Sequence, residues 1–439
     1  MSKHYIRIPL IAAAFISVGL TTAGHAFAGD FPQRTRTKQL VEGLYTENLD
    51  AASYFQQGLT RYNRSDFKGA EQAFRQALTF DPFIPMAHYL LGNSLFQQGQ
   101  TELATEQYKR AIGLDPNMAE AYYNLGLTLY KQANVQGAIN QYQKALSLNP
   151  DLAPAYYNLG LAFESQGRVQ DAIAQYKEAT RLSPNNAKAQ YNLGLLLAKQ
   201  NQTEPAITAL RQAVRNNPDL VDAQYQLGLQ LAKQGQLEEA EKALSQATKL
   251  DPQFVSAQFQ LGQVLAQRGD FAKASDRFAW VTTLEPDNVE AYQQLGAALT
   301  KDGQYIEAVT ALQSALRLGS NDALTHYNLG VALQQIEKYP DAIAQYQQAI
   351  ALNSNLPEAY YNMGVALVQT QQREQGISFL RQARNLFSQQ GNQKKMDEVD
   401  QYVQQLANQA TLPQVIQPTL PPRGQANSPG VAPGNTGRR

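Results

Sequence analysis

The sequence predicts an all-α chain, an α-solenoid of stacked antiparallel helix pairs, on three observations. A pattern of 34 residues runs ten times through residues 51–390 with no insertion or deletion. Inside each copy, residues with little or no side chain recur at fixed places. Proline or serine then closes the copy. The period is read from glycines at 58, 92, 126, 160, 194, 228, 262, 296, 330 and 364, and a fixed period of this length marks a repeat architecture. With that glycine counted as repeat position 8, the copies begin at Ala51, Pro85, Ala119, Ala153, Ala187, Val221, Val255, Val289, Ala323 and Pro357.

Each copy reads as two helices. Positions 3, 4, 7, 8 and 11 share one face of a first helix, and positions 20, 24 and 27 share one face of a second. Position 20 is alanine in nine copies and Gly376 in the last, and position 27 is alanine except at Val281. Position 24 is bulky, as in Phe74, Tyr142 and Leu210. Small residues at positions 8 and 20 let the two helices approach closely. Position 32 is proline in the first seven copies and serine in the last three; proline ends the second helix and fixes the turn. Pro205 and Pro340 fall in the first turn of their second helices, where a missing N–H costs little. No single pair buries enough apolar area to stand alone, so stability comes from stacking on neighbours.

These positions, Gly at 8, Ala at 20 and 27, a bulky residue at 24 and Pro at 32 on a 34-residue period, resemble the tetratricopeptide repeat (TPR). The resemblance covers residues 51–390. It implies a right-handed superhelix whose first helices line a concave groove where ligands lie. Positions 2, 5, 6, 9, 12 and 13 share the face opposite the packing stripe, and the resemblance places them in that groove.

The recurring "YNLG" falls there. Position 6 is a carboxamide in nine copies, among them Asn124, Asn158, Asn192, Asn328 and Asn362, and position 5 is aromatic in nine, among them Tyr123, Tyr157 and Tyr191. Position 9 adds Leu127, Leu161 and Leu195, and position 13 adds Lys131, Lys199 and Lys233. An amide offers two donors and an acceptor without charge, which matches a peptide backbone. The set therefore predicts a groove for extended segments of other proteins, similar to the asparagine ladder of some TPR proteins that hold extended substrates. A Tyr-Asn pair at positions 5 and 6 is also a general preference of the family, so the same residues can serve the scaffold alone. The carboxylate clamp of some TPR domains needs Lys at position 5, which no copy has. Trp280, the single tryptophan, stands at position 26 where other copies are polar; it is a candidate outer-face contact, with packing against a neighbouring helix as the competing reading.

The ends differ from the repeats. Lys3 and Arg7 precede an apolar stretch from Ile8 to Leu20, and Ala26-Phe27-Ala28 offers a cleavage site, so residues 1–28 read as an export signal. The stretch is too short for a stable span, and no stable membrane insertion of the mature chain is expected. The expected location is the periplasm or an equivalent lumen, with the medium as the alternative. Residues 29–50 form a lead-in in which Leu40, Val41, Leu44 and Tyr45 can cap the front. Residues 391–408 carry Met396, Val399, Val403 and Leu406 on one stripe and read as a cap helix. Residues 409–439, with six prolines and no acidic residue, read as a disordered tail.

Composition narrows the function. Lys plus Arg equals Asp plus Glu at 37 each, with no basic block, so nucleic acid is not an expected partner. The chain has no cysteine, so no disulfide or thiolate metal site holds it together. His88 and His326 both occupy position 4, which reads as packing. No cofactor is expected, and no catalytic constellation stands out. The expectation is a non-enzymatic scaffold, assembly factor or adaptor; the alternative is a substrate-presenting subunit of a separately encoded transferase or protease complex.

Overall fold

A computed structural model describes residues 46–411, with side chains to 408. The export signal, the apolar lead-in residues Leu40, Val41, Leu44 and Tyr45, and residues 412–439 of the tail lie outside the described residues. The described residues hold 21 α-helices and no strand. Those up to Asp270 belong to one compact unit and those from Phe271 to a second.

In the first unit, α1 (Leu49–Asn63) pairs with α2 (Phe67–Phe80), α3 (Pro85–Gln97) with α4 (Thr101–Leu114), and α5 (Ala119–Lys131) with α6 (Val135–Leu148). Then α7 (Ala153–Ser165) pairs with α8 (Val169–Leu182), α9 (Ala187–Lys199) with α10 (Thr203–Asn216), and α11 (Val221–Lys233) with α12 (Leu237–Leu250), while α13 (Val255–Gln267) follows. In the second unit, α14 (Phe271–Leu284) packs on α15 (Val289–Asp302), which pairs with α16 (Tyr305–Arg317). After it, α17 (Ala323–Gln335) pairs with α18 (Tyr339–Leu352), α19 (Pro357–Gln369) with α20 (Arg373–Gln389), and α21 (Gln393–Thr411) lies on α20. Consecutive helices thus pair in a solenoid-like arrangement. Within each unit the first helices of successive repeats also touch, as α5 does α3 and α7.

The glycine at position 8 makes room for the bulky side chain at position 24. A Cβ on Gly126 would lie 2.6 Å from the Tyr142 ring, and one on Gly194 would lie 2.7 Å from Leu210 Cγ. The second helix's backbone is close as well, with Ala206 O 3.2 Å from that Gly194 position. In the last copy both small positions are glycine, and a Cβ on Gly376 would meet the Gly364 carbonyl at 2.7 Å. That approach accounts for Gly376 where other copies have alanine.

Two turn devices join the helices. Every first helix ends in a residue of positive φ at position 15, five of them glycine (Gly99, Gly167, Gly235, Gly269, Gly303) and five not (Ser65, Ala133, Asn201, Glu337, Gln371). In six copies an Asp or Asn at position 31 accepts from the backbone N–H two residues on, as Asp81 does from Phe83 and Asp115 from Asn117, both at 3.0 Å. This Asx turn and the proline between its ends together set the reversal. In the last copy Phe387 replaces the position 31 Asp or Asn, and α20 runs 17 residues against 14 in α18, which Asn353 follows.

On α21, Val399 and Leu406 are buried, and Met396 and Val403 pack beside them against Leu380, Ala383 and Phe387 of α20. Arg384 donates from Nε to both oxygens of Asp400, at 2.6 and 2.8 Å.

Candidate functional site

In the first four copies and the ninth, the rings at position 5 stand between the paired helices rather than on the open face, which corrects their placement from helical spacing alone. Tyr123 is 4% exposed, and its centroid lies 6.0 Å from that of Tyr142. Tyr157 lies 5.9 Å from Tyr176 in the same way. Position 5 meets position 24 because both point into the seam that the position 8 glycine opens. Burial pushes the tyrosine hydroxyls up: Tyr89, Tyr157 and Tyr191 to about 12, and Tyr123 and Tyr176 further.

The hydroxyl edges of Tyr89, Tyr123 and Tyr327 reach the next repeat, and there each meets an asparagine. Asn124 donates from Nδ2 to the Tyr89 hydroxyl at 3.1 Å and to Asn93 Oδ1 at 2.8 Å. Asn158 donates to the Tyr123 hydroxyl and to the Pro154 carbonyl, both at 2.9 Å. Asn362 donates to Tyr327 at 3.3 Å. Asn192 departs from this pattern and donates from Nδ2 to the position 24 hydroxyl of the preceding repeat, Tyr176, at 3.4 Å. Each of these four asparagines follows a tyrosine 35 residues earlier. Where the earlier residue is Phe55, with no hydroxyl, the later one is Leu90, with no amide, whereas Phe259 is followed by the amide Gln294. Where it is Gln293, the later Asn328 makes no side-chain hydrogen bond, and Gln293 donates instead to Ser320 and Thr325, at 2.9 and 3.0 Å. The Asn of "YNLG" is therefore an inter-repeat bond. A paired signal at this spacing is present in the sequence, but counting positions within one helix does not reveal it.

The open face retains other groups. Leu127, Leu161, Leu195 and Leu229 are half-buried in four successive repeats. With both amide hydrogens of Asn158 engaged, its Oδ1 has no protein partner and remains an acceptor. The lysines differ among themselves: Lys131 lies over the Phe96 ring at 5.2 Å, Lys233 donates to Asn201 Oδ1 at 3.0 Å, and Lys199 is exposed. Trp280, on α14, is 43% exposed.

Among the described residues, the two histidines serve packing bonds. His88 donates from Nε2 to the Pro82 carbonyl at 3.1 Å, and its Nδ1 lies 2.8 Å from Gln107 Oε1; His326 repeats the second contact with Gln345 at 2.8 Å. Glutamine replaces histidine at the same position elsewhere, as Gln224 donates to Pro218 and Gln258 to Pro252, both at 3.0 Å. Among the described residues no group of three or more His, Asp or Glu is placed to hold a metal, and no helix is long and apolar enough to cross a membrane.

A family model described as the cilia and flagella-associated protein 70 C-terminal domain matches residues 83–294. A TPR repeat model matches residues 298–337 and 335–371, and a tetratricopeptide repeat model matches 357–397. Comparison with curated proteins gives no match. Among solved structures, YrrB, described as a TPR protein with an unusual peptide-binding site, is 28% identical over 43% of this chain and 96% of its own, with a TM-score of 0.40. MamA is 30% identical over 38% of this chain and 92% of its own, with a TM-score of 0.36. PilF of Pseudomonas aeruginosa is 22% identical over 50% and 97%, with a TM-score of 0.44. The TPR fold is in general a scaffold for binding other proteins, and its bearers are typically non-catalytic. Its helix pairs, its 34-residue period and these family matches show that the chain belongs to the tetratricopeptide repeat family.

Proposed function

We propose that the chain is an exported adaptor or assembly factor that holds extended segments of other proteins along the open face of α5, α7, α9 and α11. The observation that carries this reading is the row of half-buried leucines Leu127, Leu161, Leu195 and Leu229, one in each of four successive first helices. An apolar side chain repeated at repeat spacing on an uncovered face suits alternate side chains of an extended ligand. The Asn158 amide oxygen beside them supplies an acceptor for the ligand's backbone N–H groups. The hydroxyl–amide bonds hold neighbouring repeats in register, so the row is pre-organised and less ordering remains to be done on binding. The ligand still loses conformational freedom, and its affinity is on the order of micromolar per segment.

The test places a photoreactive amino acid at Leu161 or Leu195, and at the exposed outer position Gln143 as control, in the full chain expressed with its own leader. Crosslinked partners should come from the two leucine positions, and the variant Leu161→Asp/Leu195→Asp, with native circular dichroism, should lose them. Equal crosslinking from Gln143, or partners retained by the variant, would reject the open face. The identities of the crosslinked proteins separate an adaptor from the substrate-presenting arm of an enzyme complex. Export has its own readout, a mature N-terminus at Gly29 in the envelope or lumen fraction; a chain that keeps Met1 and stays in the cytoplasm excludes it.

A further inference from the structure

A cavity of about 600 Å³ opens between the second helices α2 and α4, with α3 beneath it and the α2–α3 turn at its lip. Its floor holds His88 and Gln107, 5% and 7% exposed and bonded to each other at 2.8 Å. Leu78, Leu91 and Leu114 form apolar walls, and Arg75, Arg110 and Phe83 stand at the rim. No carboxylate lines it. Arg75 donates from Nε to Glu71 at 3.0 Å, and Arg110 from Nη2 to Glu106 at 2.6 Å. Both partners sit one turn back on the same helix. Exposed pairs of this kind contribute little, and each guanidinium keeps further N–H groups for another acceptor.

Three features of the rim depart from the repeat. Position 33 is Asn, Asp or Gln in nine copies but Phe83 in the first, and that ring is 73% exposed. Position 29 is glycine only at Gly113, inside α4, where an added Cβ would meet nothing within 4 Å. Close packing therefore does not require this glycine, and its absent side chain leaves the cavity mouth clear. Position 26 is arginine only at Arg110. The second unit supplies an internal comparison. His326 and Gln345 repeat the floor contact at 2.8 Å, but the corresponding rim residues are Gln313, Gln348, Asn321 and Ala351. The His–Gln floor is thus scaffold, whereas two arginines, an exposed ring and a glycine come together at the first site.

We propose that this cavity is a second docking site, separate from the open face, for a short acidic segment of a partner protein that carries an aromatic or aliphatic side chain beside its carboxylates. The apolar side chain covers Phe83 and settles against Leu78, Leu91 and Leu114. The carboxylates take the free N–H groups of Arg75 and Arg110 in charge-assisted bonds. A segment rather than a free small acid fits the shape. Small-ligand sites enclose most of their ligand, but here the ring and both arginines project from an open rim that only a draped chain covers together.

The test titrates the full chain into labelled heptapeptides by fluorescence anisotropy. One carries a central phenylalanine flanked by Asp and Glu, a second replaces the acids by Asn and Gln, and a third replaces the phenylalanine by alanine. The first should bind with a Kd on the order of 10–100 µM, at least about tenfold tighter than either counterpart. Arg75→Gln/Arg110→Gln should weaken it about tenfold or more, and so should Phe83→Asn, which restores the residue class of the other nine copies. Leu161→Asp, on the open face, should leave it unchanged, so this site and the open face succeed or fail separately. Acidic and neutral peptides binding alike, no binding by the native chain, or native affinity in the arginine variant would each overturn the proposal. Full competition by free 3-phenylpropionate at the peptide's own concentration would overturn the choice of a protein segment. Phe83→Asn alone decides if the arginine variant melts early.

Discussion

At the scale of single residues, the Tyr–Asn contact shows how one side chain can be read two ways from a sequence. The asparagine lies on the face that helical spacing assigns to a groove, yet its amide hydrogens point along the stack to the previous repeat's hydroxyl. A hydrogen bond of this kind contributes about 1 kcal/mol net, and leaving one partner unsatisfied costs about 1–3 kcal/mol. Asn158→Leu and Tyr123→Phe should therefore each destabilise the fold. The double variant, which copies the natural Phe55/Leu90 pair, should cost less than the two together, with a coupling of about 1 kcal/mol in urea denaturation. Strict additivity would mean that the bond contributes nothing. The glycine at position 8 is a firmer case, because its need for space was legible from recurrence. What recurrence could not reveal was the neighbour: the bulky position 24 side chain of the same repeat, a ring or a leucine, fills the space. Gly126→Ala would force a Cβ to 2.6 Å from Tyr142, and such overpacking typically costs about 1–3 kcal/mol. An unchanged denaturation midpoint would show that the ring can yield.

At the scale of elements, the helix pairs were legible because the apolar period and the small residues recur from copy to copy, with proline closing the first seven. The turn inside each pair was not. Position 15 adopts positive φ in all ten repeats but is glycine in only five, so composition conceals a conserved geometry of the backbone. The other five have a Cβ in a conformation that costs an L-residue roughly 1–2 kcal/mol. Glycine would remove that strain but loses more entropy on folding, about 0.4–1 kcal/mol. The balance predicts that Ala133→Gly, Glu337→Gly and Gln371→Gly together raise the melting temperature. Asn201→Gly should change little, because asparagine already tolerates this region. A lower melting temperature for the triple variant would mean that the turns are held by contacts of the side chains it removes. The position 31 Asx turn escaped notice for a related reason: its Asp or Asn reads as ordinary loop polarity until the bond to the N–H two residues on is seen.

At the scale of the whole molecule, stability rests on packing between neighbours, since there is no cysteine to cross-link the chain and the exposed ion pairs contribute little. The tyrosine seam distributes one chemical sensitivity through that packing. Burial holds the hydroxyls of Tyr89, Tyr157 and Tyr191 at about 12, against an ordinary value of 10.0, and pushes Tyr123, Tyr176 and Tyr346 higher still. The folded chain therefore retains protons that an unfolded chain releases above pH 10. The stability linked to these groups is fully present below pH 10 and falls as pH rises from 10 toward 12 and beyond, because the unfolded state binds fewer protons there. Several tyrosines act together, so the loss should be steep. Far-ultraviolet circular dichroism should stay flat up to pH 10 and then fall, and the seam's own tyrosinate absorbance, read as the difference between the native chain and Tyr89→Phe/Tyr123→Phe/Tyr157→Phe, should rise in the same step rather than before it. Tyr123→Phe removes one such hydroxyl and should shift the transition to higher pH relative to its own stability at pH 7. If tyrosinate instead appeared with a midpoint near 10 while the helices persisted, the hydroxyls would be in contact with water. The seam between position 5 and position 24 would then be looser than its ring contacts imply.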